Sequence, residues 1–203
     1  MIWLMAKPAT PQLGPSRRAV LSWAGHATVL MIMASVTRSG FASSPMDQQI
    51  RTLGLQLVGR ADLRFFGLKV YEASLWAPAQ AEEATLLNGP FALELHYNLR
   101  FKGGDIARRS VEEIEGLGLM DRSQHDKRLR ELTALFPTVE SGDRLTGVYL
   151  PKAPSPFYLN GKPIGEIRDP EFAQMFFRIW LDAKTSEPRL RQALLAPLSK
   201  RAS

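Results

Sequence analysis

A chain of 203 residues, 45% hydrophobic and 23% charged, is long enough for one packed domain and too apolar for wholesale disorder. It holds no cysteine, which excludes a disulfide framework, thiolate metal sites and cysteine nucleophiles. The net charge of +6 suggests nucleic acid at first sight, but residues 1–42 carry Lys7, Arg17, Arg18 and Arg38 and no acid, so 43–203 keeps 22 bases against 20 acids. A nucleic-acid partner thereby loses its main support.

Ser16-Arg17-Arg18-Ala19-Val20-Leu21 precedes an uncharged apolar run from Trp23 to Val36, and Arg38, Ser39, Gly40, Phe41 and Ala42 follow. A charged start, an apolar middle and small residues at Gly40 and Ala42 predict a cleavable export signal cut after Ala42. The paired arginines behind Ser16 resemble a twin-arginine signal; general secretion is the other route. A membrane span needs about 20 apolar residues. Gly25, His26 and Thr28 dilute this shorter run, so no stable span is expected after cleavage. The reading is therefore a signal peptide over 1–42 and a mature domain over 43–203, folded in a bacterial periplasm or outside the cell. That compartment has no ATP, and the sequence has no Gly-rich phosphate loop, which disfavours NTP-driven enzymes.

Residues 43–50 read as a polar lead-in. Leu53 to Ala77 is rich in Leu, β-branched and aromatic residues, and Gly67 divides it into two antiparallel strands or marks a bulge. Asn88-Gly89-Pro90 is a turn. From Phe91 to Arg100 the pattern alternates, with Phe91, Leu93, Leu95, Tyr97 and Leu99 on one face, which predicts a half-buried strand. Gly103-Gly104 ends it, and Asp105 can cap a helix whose Ile106, Ser110, Val111 and Ile114 turn inward while Glu112, Glu113 and Glu115 turn outward. A second helix carries Leu129, Leu132, Leu135 and Phe136. Asp143 to Leu150 is a strand, and Phe157 to Ile167 is a hairpin about Asn160-Gly161. Asp169-Pro170-Glu171 opens a helix with a heavy face of Phe172, Met175, Phe176, Ile179 and Trp180; Ser186-Glu187-Pro188 opens the last one. Strands, two helices, strands and two helices, without βαβ crossovers, predict an α+β domain in which helices cover an antiparallel sheet.

Several words in this order are similar to the chalcone isomerase-like family. They are a turn over Gly59–Arg64 followed by Phe65 to Trp76, the start Gly142-Asp143-Arg144-Leu145, the run Tyr158 to Lys162, and Phe172 to Leu181. The resemblance covers about residues 50–198. It implies an open-faced β-sandwich, a large antiparallel sheet covered by helices, with a ligand cleft between them. It also implies relatives that are flavonoid-forming isomerases, fatty-acid-binding proteins or secreted bacterial proteins. The isomerases cyclise a chalcone with an arginine, a tyrosine, a lysine, an asparagine and a threonine. Carried over, the arginine falls on Arg64, the threonine on Tyr71, the tyrosine near Ile106, the lysine on Arg109 and the asparagine near Glu113. An isoleucine cannot donate a hydrogen bond to a carbonyl, so one electrostatic support of the reaction is missing.

The candidate ligand-binding residues are Arg64, Tyr71 and Arg109, with no catalytic residue assigned. Arg64 is either a guanidinium fork for an acidic head group or an exposed strand arginine. Tyr71 supplies a hydroxyl beside it or is a core tyrosine with its OH at the rim. Arg108 and Arg109 reach the cleft mouth or form a solvated charge pair. His96 and His125 lack metal-ligand spacing, Ser110 and Ser155 lack a nucleophile-elbow context, and no metal or cofactor is expected. The stripe Phe172, Phe176, Phe177 and Trp180 is core, or lines an acyl tunnel. The leading expectation is an exported non-catalytic binder of a small amphipathic ligand such as a fatty acid or aromatic acid. An isomerase or intramolecular lyase acting on chalcone-like enones with an altered catalytic set, and a ligand-free structural envelope protein, are the alternatives.

Overall fold

Ser44 accepts a hydrogen bond from the Asp47 amide while the Asp47 carboxylate takes the Ser44 N–H, both at 3.1 Å. This capping box, with Pro45 where no N–H is needed, starts a helix, α1 (Pro45–Thr52), in place of the expected polar lead-in. Ser44 is also where the computed structural model begins its description, which covers residues 44–199; the signal-peptide reading of 1–42 lies outside the described residues.

Two ten-residue strands follow, β1 (Gln56–Phe65) and β2 (Leu68–Ala77). They are joined by a two-residue turn, Phe66-Gly67, with φ of +47° and +81°. Residues 59–64, expected as a turn, lie inside β1. The other strands are β3 (Phe91–Tyr97), β4 (Arg144–Tyr149), β5 (Ser155–Leu159) and β6 (Lys162–Ile167). All six form one antiparallel sheet in sequence order, so each strand lies beside its chain neighbour. The β5–β6 turn is Asn160-Gly161, both at positive φ, as the sequence predicts. Helices α2 (Gly103–Gly116) and α3 (His125–Leu135) stand between β3 and β4, and α4 (Pro170–Leu181) and α5 (Pro188–Ser199) follow β6.

Alternate residues of β3 belong to two separate apolar clusters, which places them on opposite faces of the sheet. Phe91, Leu93 and Leu95 pack with Val111 and Ile114 of α2, Leu132 of α3, Phe176 and Phe177 of α4 and Leu194 of α5. Ala92 packs on the other face with Val148, Tyr158, Ile50 of α1 and Leu55, which follows it. The strand expected to be half-buried is thus covered on both sides around Ala92. Even Glu94 is 5% exposed, held by Arg144 at 2.6 Å.

Asp169 caps α4 through the amides of Glu171 and Phe172 and ties it to α3 through Arg128, whose side chain is 8% exposed and lies over the Phe172 ring. Burial pushes the Asp169 carboxyl up, but the Arg128 guanidinium and the two amides outweigh it and leave the carboxyl below its usual range. A carboxylate lowered in the folded state contributes stability above its unfolded value of about 4 and loses it as pH falls through the folded value. Asp169→Asn, which keeps the cap, is expected to lower stability at pH 7 by on the order of 1 kcal/mol, since Asp169 is partly solvated. Urea melts at pH 7 and pH 2.5 check this: the gap to wild type closes in acid.

Candidate functional site

Between β2, β3, α2 and the end of α4 lies a cleft of about 420 Å³, within the usual range of about 300–1,000 Å³ for small-molecule sites. Its floor is Tyr71, Leu95 and Tyr97, all buried strand residues on the helix-covered face. Phe101, Ile106, Ile179 and Trp180 wall it. Tyr71 and Tyr97 rings meet edge to face at 5.8 Å, and Tyr97 leans on Phe101 at 5.7 Å. The polar side is made by α2, with Arg108, Arg109, Glu112 and Glu113, and by Ser186 and Glu187 in the link between α4 and α5.

The Trp180 indole donates to the Tyr71 hydroxyl at 3.0 Å. Burial pushes the Tyr71 phenol well above its ordinary range, so it stays neutral and keeps its own proton to donate. Arg109 pairs with Glu113 one helical turn on and has Glu112 at 3.8 Å. Ser186 Oγ donates to the same Glu113 carboxylate at 2.8 Å. Burial, then the neighbouring Glu113 charge, push the Glu187 carboxyl above its usual range, and Arg109 opposes them.

Of the three sequence candidates, the structure brings Tyr71 and Arg109 together in the cleft. Arg64 is not with them. Leu63 is buried and pairs with Tyr71 on the cleft side, so period two turns Arg64 to the other face. There it sits 58% exposed, bonded to Asp62 at 3.1 Å. The expected arginine at the mouth is therefore corrected to Arg109. Glu113, expected to face outward, is 13% exposed and borders the cleft. Arg108 pairs with Asp105 at 2.6 Å. His96 lies between Glu72 and Arg144 in the sheet register, and His125 bonds Glu115 at 2.9 Å. Among the described residues no cluster of His, Asp or Glu could hold a metal ion, and no helix is long and apolar enough to cross a membrane. The aromatic stripe of α4 divides: Phe172, Phe176 and Phe177 are core, and Trp180 faces the cleft. Sequence reasoning missed Glu187 and Ser186, whose only signal is the helix start they make before Pro188.

A meandering antiparallel sheet with α2 to α5 over one face, and a cleft opening between the two, defines an open-faced β-sandwich of the ligand-cleft type. The chain belongs to the chalcone isomerase-like family, whose sequence model matches residues 41–196. Among solved structures, the fold is similar to that of a fatty-acid binding protein from Arabidopsis thaliana. The TM-score is 0.55 at 13% identity, over 73% of this chain and 90% of that one. No curated protein matches the sequence.

Proposed function

We propose that the mature domain is a non-catalytic binder of an amphipathic small molecule such as a fatty acid or an aromatic acid, exported to the periplasm or beyond by the signal in residues 1–42. The observation that carries this is the composition of the cleft: an apolar floor of Leu95, Tyr97 and Tyr71 beside a polar side that carries the Arg109 guanidinium. Each methylene buried there contributes about 0.8 kcal/mol before ordering costs. Arg109 and the Tyr71 O–H orient the acidic head, the guanidinium through its planar fork. The Arabidopsis fatty-acid binding protein, alike in fold, supports a binding role for this architecture.

Isomerase chemistry is disfavoured by two placements. Ile106 presents an alkyl chain to the cleft, and Arg64 lies on the opposite face. The exported protein is expected to carry a small apolar acid in native mass spectrometry and to melt higher with a fatty-acid panel, with no turnover of chalcones above background. Empty protein and unmoved melting curves across the panel would count decisively against the reading.

A further inference from the structure

Among the described residues three large apolar side chains are exposed, and two of them, Phe66 at 86% and Leu68 at 64%, stand at the β1–β2 turn. The third, Leu57, lies near the far end of β1. Phe66 takes a φ of +47°, which Asn or Gly adopts with far less strain. An Asn-Gly pair would suit the turn better and would leave no aromatic ring in water. A residue that is both strained and unburied adds little to the fold, and such an outlier points to function. The ring is held out rather than loose: Phe65, packed on the core, meets it edge to face at 4.5 Å. Arg64 donates to the Gly67 carbonyl at 3.4 Å. A Cβ added at Gly67 would meet nothing within 4 Å, so the turn stands clear of the other described elements.

An aromatic side chain offers at most about 250 Å² and a leucine less. The tip therefore falls well short of the about 800 Å² that each partner of a stable protein complex buries. A lipid surface asks for no such area and no matching shape; it takes up an apolar prow whose flanks carry bases for its phosphates. The hairpin has that make-up. Arg60, Arg64 and Lys69 flank the tip against Asp62 and Glu72. Lys69 contacts both acids, at 2.7 Å and 3.0 Å, while Arg60 is exposed and Arg64 stays 58% exposed. We propose that the β1–β2 turn docks this protein on a lipid surface by inserting Phe66 and Leu68, with Arg60 and Arg64 at the head groups. Tyr71 follows Leu68 by three residues, about 10 Å along β2, so a docked tip brings the cleft floor close to the lipid. The docking goes beyond the small-molecule reading and stands without it.

Vesicles of phosphatidylglycerol and phosphatidylcholine in equal parts test this on the purified protein. The chain has no cysteine, so Leu68→Cys gives a single attachment point for an environment-sensitive dye. Gly89→Cys gives a control at the opposite end of the sheet, where a Cβ meets nothing within 4 Å. On adding vesicles the dye at residue 68 is expected to brighten and shift to the blue, and the dye at residue 89 to stay unchanged. The dye reports on its own position, so lipid contact made elsewhere in the chain does not imitate the result. Phe66→Asn writes Asn-Gly into the turn and is expected to melt at or above wild type. Combined with Leu68→Ser, it is expected to lower partition onto the vesicles by about tenfold or more. A dye at residue 68 that does not respond, or equal responses at both sites, overturns the proposal. So does a double variant that partitions as wild type does. A solution mass that falls from two copies to one in the double variant would assign the tip to a second copy and overturn it as well.

Discussion

Gly103→Ala is expected to lower the thermal midpoint by roughly 10 °C, while Gly104→Ala leaves it level or higher. A Cβ at residue 103 would stand 1.9 Å from the Phe136 carbonyl oxygen and 2.8 Å from its carbon. Both partners are backbone, the first residue of α2 and the end of α3, so no side chain can rotate away and one helix must shift. A shift of that kind costs on the order of 3 kcal/mol or more, and a domain of this size loses about 2–4 °C per kcal/mol. At residue 104 a Cβ meets nothing within 4 Å, and alanine is the better helix former by up to about 1 kcal/mol. Because α2 carries Ile106, Arg109 and Glu113, its displacement also opens the cleft, so octanoate affinity falls together with stability. Melting curves and titrations on the two variants check both effects. Equal midpoints would mean that the α2–α3 junction is not close-packed.

That junction illustrates which parts of the molecule the sequence makes legible. Local patterns carry the elements well: period two marks β3, Asn160-Gly161 marks the β5–β6 hairpin, and Asp169-Pro170 marks the start of α4. They fail where tertiary packing decides. Gly67 marks the β1–β2 turn, as the sequence predicts, but Phe66, a poor residue for positive φ, leaves it without an Asn-Gly or Asp-Gly signal, and the turn that the resemblance implies over residues 59–64 is strand instead. Arg64 sits one residue beyond Leu63, at a register irregularity opposite β2, and one residue of strand is the difference between cleft and solvent. Tyr71 and Arg109 border the cleft because each lies on the inward side of a strongly patterned element. Glu113 reads as a solvated helix acid until the link carrying Ser186 and Glu187 is laid over it, 73 residues away from Ser186 in sequence. No pattern local to α2 contains that contact. Helix α1 was missed because it is short and polar, although its capping box is written in Ser44-Pro45-Met46-Asp47.

The two faces of α4 predict opposite consequences for residues only three apart. Phe177 is 1% exposed and meets the rings of Phe91 at 5.2 Å, Tyr149 at 5.6 Å, Phe176 at 5.5 Å and Phe157 at 6.0 Å. It fits against the sheet because Gly147 has no side chain: a Cβ there would lie 2.8 Å from the tip of the Phe177 ring. Phe177→Ala is expected to lose about 3–5 kcal/mol, a large share of the 5–15 kcal/mol typical of a domain. The milder Phe177→Leu, which stays folded, is expected to bind octanoate as wild type does, since Phe177 does not border the cleft. Trp180→Ala removes a wall of the cleft and the indole N–H that holds the Tyr71 hydroxyl. It lies in a half-buried position, so its stability loss is smaller than that of Phe177→Ala, while octanoate and octanol affinity both fall by about tenfold or more. Urea melts paired with ligand titrations separate the two. If Phe177→Leu weakened binding as much as Trp180→Ala, the helix would be acting as one rigid unit, with no division between core and cleft.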